Sequence, residues 1–288
     1  MILLLVSLLG MGLFLWPFTG LGLPASTPAL AIGVGTALGL LVFEIGTRRM
    51  DARSLSLLAA LSAADAALRA ALVTGIGGFS PIFLLVLCGG YAMGPSFGFL
   101  VGAGSLLASA LATGGLGPWV PYQLFALGWV GAVAGVFGMW HRGSRPRGVD
   151  VGLLAVVGLF TGFGFGVVMD IWNWTFFAGS GQLGWQPGLA PLSAMARFLR
   201  YYLVTSLGYD SFRAIGNALM VLLLGLPILA GLHRVGRRFH LEWETPDLVG
   251  ASVPPADHVA AGNLVVPPLA VGVDGGPTKP HEARGQVQ

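Results

Sequence analysis

Trp119, Tyr122 and Gln123 stand where one apolar stretch of this chain begins, Asp170, Asn173 and Trp174 where another ends, and Arg197 shortly before a third. Aromatic faces beside a few amides and charges suit a flat, polar-decorated small molecule held by stacking and hydrogen bonds. Singly, each of these tryptophans and tyrosines fits the aromatic belt of a membrane interface equally well. Asn217 adds a different signal, because an amide inside the last apolar stretch needs partners wherever it is buried.

Charges inside apolar stretches are few. Asp65 and Arg69 lie four residues apart and therefore on one helical face. An unpaired charge at membrane depth costs several kcal/mol, so a structural ion pair facing the interior is expected, with ligand contact as the alternative. Ala59, Ala63 and Ala67 repeat at the same spacing on that helix. Small residues let another helix approach closely in lipid, either inside the bundle or on a partner protein. The pairs Gly98 and Gly102, Gly131 and Gly135, and Gly158 and Gly162 read as tight internal packing.

Enzyme chemistry has little to stand on. His141, His233, His240, His258 and His281 fall at the ends of apolar stretches or in the tail, with none paired at metal-ligand spacing. The sequence carries no Gly-x-Ser-x-Gly elbow and no Walker loop, and the run Gly162 to Gly166 follows no strand that would make it a nucleotide site. No metal, cofactor or catalytic residue is expected. Cys88 is the only cysteine, so an intrachain disulfide is excluded.

The elements that must position these residues are set by composition. Of 288 residues, 55% are hydrophobic and 9% charged, and the mean hydropathy is +0.80. Too few polar residues remain to coat a soluble domain of this size, so the chain reads as an integral membrane protein. Apolar stretches without period-two alternation predict an all-α, polytopic transmembrane bundle, not a barrel. The stretches run over 2–18, 28–43, 55–73, 81–93, 97–112, 119–139, 151–169 and 211–232. Basic clusters at Arg48, Arg49 and Arg53, at Arg142, Arg145 and Arg147, and at Arg234, Arg237 and Arg238 are separated by even numbers of stretches. The positive-inside rule then places all three clusters and both termini in the cytoplasm. The net charge of +3, without a basic patch interleaved with aromatics, argues against nucleic-acid binding.

The segment from 171 to 208 would be external, with Arg197, Arg200, Tyr201 and Tyr202 marking an interfacial helix and a lid. Ala25-Ser26-Thr27 offers a leader-cleavage alternative for the first stretch, but Met1-Ile2-Leu3 lacks a basic start, which favours a retained span. The Pro-, Gly- and Asp-rich tail after Phe239 reads as disordered.

Two short breaks carry a family resemblance. The run around Gly90, Tyr91, Gly94, Pro95 and Phe97, the run Gly117-Pro118-Trp119 with Pro121, Tyr122 and Gln123, and the stripe Ala59, Ala63 and Ala67 together resemble the S components of energy-coupling factor (ECF) vitamin transporters. The resemblance covers about two thirds of the chain, from Leu55 to Arg238. It implies a six-helix substrate-binding domain over 51–240, preceded by an N-terminal transmembrane hairpin over 1–50 and followed by a cytoplasmic tail over 241–288. In that family the S component binds a vitamin from outside and docks through a small-residue face to a membrane T component driven by two ATPases. The implied partners are therefore a vitamin-like substrate, the T component, the two ATPases and lipid. The Ala, Gly and Arg bias suggests a GC-rich bacterium, hence a bacterial plasma membrane, and by analogy a cobalamin-type substrate. The two N-terminal spans and the tail depart from the six-helix pattern. A stand-alone carrier or channel would call for repeated halves or an ion site, and a membrane enzyme or assembly scaffold for a His or Ser constellation; the sequence displays none of these.

Overall fold

The computed structural model describes residues 2–21, 27–48, 50–71, 81–141, 146–176 and 181–241. Arg49, Arg142, Arg145, the Ala25-Ser26 pair and the tail from 242 onward, with its expected disorder, lie outside the described residues. Among the described residues all regular structure is helical. Its elements are α1 (Ile2–Leu15), a 3-10 turn (Trp16–Phe18), α2 (Thr27–Arg48), α3 (Ala52–Ala71), α4 (Ile82–Met93), α5 (Pro95–Thr113), α6 (Val120–Trp140), α7 (Gly148–Phe176), α8 (Pro191–Thr205) and α9 (Leu207–Leu241).

Among the described residues five helices are long and apolar enough to cross a membrane: α2, α5, α6, α7 and α9. The chain is thus a multi-pass helical membrane protein. The eight expected stretches all fall on helices, but the helices differ in their capacity to span. Helix α4 has 12 residues, about 18 Å at the rise of an α-helix, well short of the ~30 Å hydrocarbon layer. Helix α1 has 14 residues, and α3 has the length but is diluted by Ala, Ser, Asp and Arg. Conversely, α7 runs past Met169 to Phe176, and α9 begins at Leu207, four residues before the expected Ser211.

The short α4 lies at the centre. Ile82 to Leu84 and Val86 to Tyr91 are buried. Gly94 has φ 102°, a left-handed conformation that glycine adopts without strain, and Pro95 opens α5 with φ already set for a helix. The chain therefore reverses sharply, and Gly90 comes to rest against Gly98. Both press on α6: a β-carbon at Gly90 would lie 2.1 Å from the Gly131 carbonyl oxygen, and one at Gly98 would lie 2.2 Å from it. Further along, a β-carbon at Gly138 would lie 2.0 Å from the Tyr91 carbonyl oxygen, and one at Gly135 would lie 2.4 Å from Pro95 N. In lipid, where water supplies no drive between helices, this backbone proximity is the main source of cohesion.

The end of α4 is also tied to α7. The Tyr91 hydroxyl donates to Asp150 Oδ1 at 2.7 Å, and Asp150 Oδ2 accepts the Arg147 backbone N–H at 2.7 Å. Helices α7 and α9 pack antiparallel, with Gly162 against Ala214 and Asn217, and Gly158 against Asn217. Helix α3 starts from Asp51, whose Oδ1 accepts the Ser54 N–H at 3.3 Å, as an N-cap does. It buries Leu58, Ser62, Asp65 and Ala66 and leaves Ala59, Ala63 and Ala67 exposed. Among the described residues the alanine stripe therefore faces outward, whereas the three glycine pairs pack inside.

Gly131→Ala places a β-carbon 2.1 Å from the Gly98 carbonyl oxygen. The expected outcome is a loss of about 2–3 kcal/mol, because backbone cannot yield as a side chain does. Gly152→Ala in α7, with nothing within 4 Å of the added carbon, should be neutral or stabilising by up to ~1 kcal/mol. Thermal unfolding of both variants in detergent measures the contrast.

Candidate functional site

Polar and aromatic residues gather at the end of the bundle where α6 begins, α7 finishes and α9 starts. Helix α8 lies across it. Pro191 sits in its first turn, Ala194, Tyr201 and Tyr202 are buried, and Leu192, Met195, Leu199 and Leu203 on the other side are exposed. That three-to-four-residue spacing makes α8 two-faced.

The expected site residues separate into two groups. In the first, Trp119 meets Trp172 edge-on at 5.9 Å, and Tyr122 is packed between Phe14, at 5.2 Å, and Trp172, at 6.4 Å. Trp119 Nε1 donates to the Gly115 carbonyl at 3.2 Å. Gln123 is half-buried beside them in α6. In the second, Trp174 is fully buried, donates from Nε1 to the Leu183 carbonyl at 2.7 Å and stacks on Phe18 at 5.6 Å. Asn173 Nδ2 donates to the Tyr201 hydroxyl at 2.9 Å, and Arg197 Nη1 donates to the Gly184 carbonyl at 3.1 Å. Trp174 and Arg197 thus hold the 181–190 loop down, and Asn173 holds α8. Positions 172 and 174 are about 200° apart around a helix, so α7 presents one tryptophan to α6 and the other to α8. This is why the expected site residues fall into two clusters.

Between α7 and α9, under α8, sits a group of buried charges. Asp170 is 8% exposed, Asp210 2% and Arg213 9%. Arg213 Nη1 donates to Asp210 Oδ1 in a close ion pair three residues apart. Its guanidinium lies 5.3 Å from the Phe165 ring centre and 5.1 Å from that of Tyr209. The second oxygens of Asp170 and Asp210 have no hydrogen-bond partner. Tyr202 of α8 faces this group; burial first, and then the Asp210 carboxylate, push its phenol up to about 12, so it remains a donor at neutral pH. Asp170 was legible in the sequence, whereas Asp210 and Arg213 were missed. The signal was an acid and a base three apart in the first turns of an apolar helix.

Asn217 is 2% exposed, with its Nδ2 unpartnered and turned toward Gly162 of α7. It belongs to the α7–α9 seam, two turns below Asp210. Asp65 and Arg69 act on one another electrostatically, without a hydrogen bond between them among the described residues. Asp65 is fully buried with neither oxygen hydrogen-bonded, and Arg69 is half-buried. Asp65 faces Ser105 of α5 and Leu85 of α4, while Arg69 stands one turn nearer the helix end.

These features define a multi-pass membrane bundle with one roofed, charged end. Comparisons with protein-family models, with curated proteins and with solved structures find no match to this chain.

Arg213→Met strands the Asp210 carboxylate in a dry site and should cost about 3–5 kcal/mol. Adding Asp210→Asn should recover part of that loss, so the two changes are strongly non-additive. A double-mutant cycle of thermal unfolding in detergent measures the coupling, and additive losses would mean that the pair does not act as one unit.

Proposed function

We propose that this chain is the substrate-capturing membrane subunit of an importer of the energy-coupling factor type. The observation that carries the reading is the cluster of three charges, Asp170, Asp210 and Arg213, buried together under α8 at one end of the bundle. A structural bundle needs no such group there. A small-molecule site needs a few fixed polar atoms inside an apolar, water-excluding surround, with an element above it that moves to admit the ligand. Helix α8 and the 181–190 loop, seated through Trp174, Asn173 and Arg197, serve as that cover.

In this reading the covered end faces outward, both termini are cytoplasmic, and the membrane is a bacterial plasma membrane. The exposed face of α3 supports the second half of the cycle. Ala59, Ala63 and Ala67 form a methyl-sized surface, while α9 exposes Phe212, Ile215, Leu219, Leu222 and Leu223. Bulky residues suit lipid contact and small ones suit a close helix partner. The T component docks on α3 and two ATPases drive release of a vitamin-like ligand, of cobalamin type by analogy with the family.

Two measurements test the proposal. Native mass spectrometry of the detergent-purified chain should show a co-purified small molecule. Ala63→Trp and Ala67→Trp should leave that molecule bound but lower the yield of complex with co-expressed T component and ATPases by about tenfold or more, since indole bulk holds the partner helix away. Undiminished complex yield in both variants would remove α3 as the docking face.

A further inference from the structure

The charges under α8 do not balance. Asp210 is committed to Arg213, and its second oxygen is wedged onto α7, where a β-carbon at Gly166 would lie 1.8 Å from Oδ2. Nothing larger than a hydrogen fits there. Arg213 in turn is held between that carboxylate and the rings of Phe165 and Tyr209. Asp170 is left over: it is more than nine-tenths buried, and among the described residues it closes no ion pair and its Oδ2 has no donor. The groups around it are Ser206 in the α8–α9 link, Tyr201 of α8, Asp210 and Arg213. Two carboxylates thus share one guanidinium, and buried charges of one sign are held only where a partner of the other sign arrives.

We propose that Asp170 is the anchor for a protonated nitrogen on the captured ligand: an ammonium, an amidinium or a protonated ring nitrogen. Such a group brings the missing positive charge and, unlike a quaternary nitrogen or a metal ion, also a hydrogen bond for Oδ2. The rings of Tyr201 and Tyr202 in the roof complete an apolar, aromatic surround of the kind that favours organic cations. An anionic or neutral group at the same place would leave the site with a stranded charge. This deepens the capture reading given above and rests on it.

The test uses the full chain in detergent and three ligands of one shape: benzylammonium, benzyl alcohol and benzoate. Thermal unfolding should rise saturably with benzylammonium and stay flat with the neutral and anionic probes. Asp170→Asn should raise the half-saturating benzylammonium concentration about tenfold or more, as loss of a charge-assisted hydrogen bond requires, and Asp170→Glu should retain the cation preference. Equal response to all three probes, no response to any, or an undiminished response in Asp170→Asn would overturn the assignment. If Asp170→Asn does not fold, the wild-type preference among the three probes still decides. Failure here stays distinct from failure of the capture reading, because a co-purified neutral molecule together with intact docking on α3 would preserve that reading and sink this one.

Discussion

Backbone-to-backbone contact among α4, α5 and α6 is the constraint from which the rest of the bundle follows. Gly90, Gly98 and Gly131 meet with no side chain between them. Only this proximity allows a helix as short as α4 to sit at the centre, enclosed by α5, α6, α7 and α9. Placing α4 there fixes where α7 passes, through the hydrogen bond between Tyr91 and Asp150. The position of α7 then decides where Asp170, Trp172 and Trp174 emerge at the other end.

The two ends of the molecule are built on opposite principles. At the Gly94 end cohesion comes from small residues and satisfied polar groups. At the Trp174 end it comes from large aromatic rings, which bring Phe18, Trp174, Phe198 and Tyr201 together, laid over charges that are only partly compensated. Rings fill space without demanding many hydrogen bonds, so such a cover closes the end while leaving the polar atoms beneath it open to a partner.

Much of this was legible in the sequence. Composition and unbroken apolar runs gave the helical membrane class, and the Gly-Pro breaks at 94–95 and 117–118 mark true helix boundaries. Helix α8 was visible in the Arg and Tyr residues from 197 to 202. Helix ends were less visible: α7 continues through Asp170-Ile-Trp-Asn-Trp, where α8 provides a partner for Asn173 and the loop after α7 one for Trp174, although hydropathy alone reads this run as leaving the membrane. The roles of Trp174 and Arg197 depend on the carbonyls of Leu183 and Gly184, and no periodicity announces a loop carbonyl. Asp65 and Arg69 act on one another electrostatically, as their spacing predicts, but close no hydrogen bond, for a similar reason. Spacing states which residues share a face, but the depth of each along the helix decides which one is enclosed.

The hydrogen bond from Trp185 Nε1 to the Pro17 carbonyl joins residues 168 positions apart, and that from Trp129 to Ser7 joins residues 122 apart. The α4–α5–α6 contacts, by contrast, close between neighbours in the chain. Loop-closure entropy grows with separation, so the local three-helix unit orders first and the aromatic cover last. The end of the molecule that assembles last is also the one whose opening disturbs least of what was built before it. A protein that must expose a sealed interior on demand gains from having its seal made of late contacts.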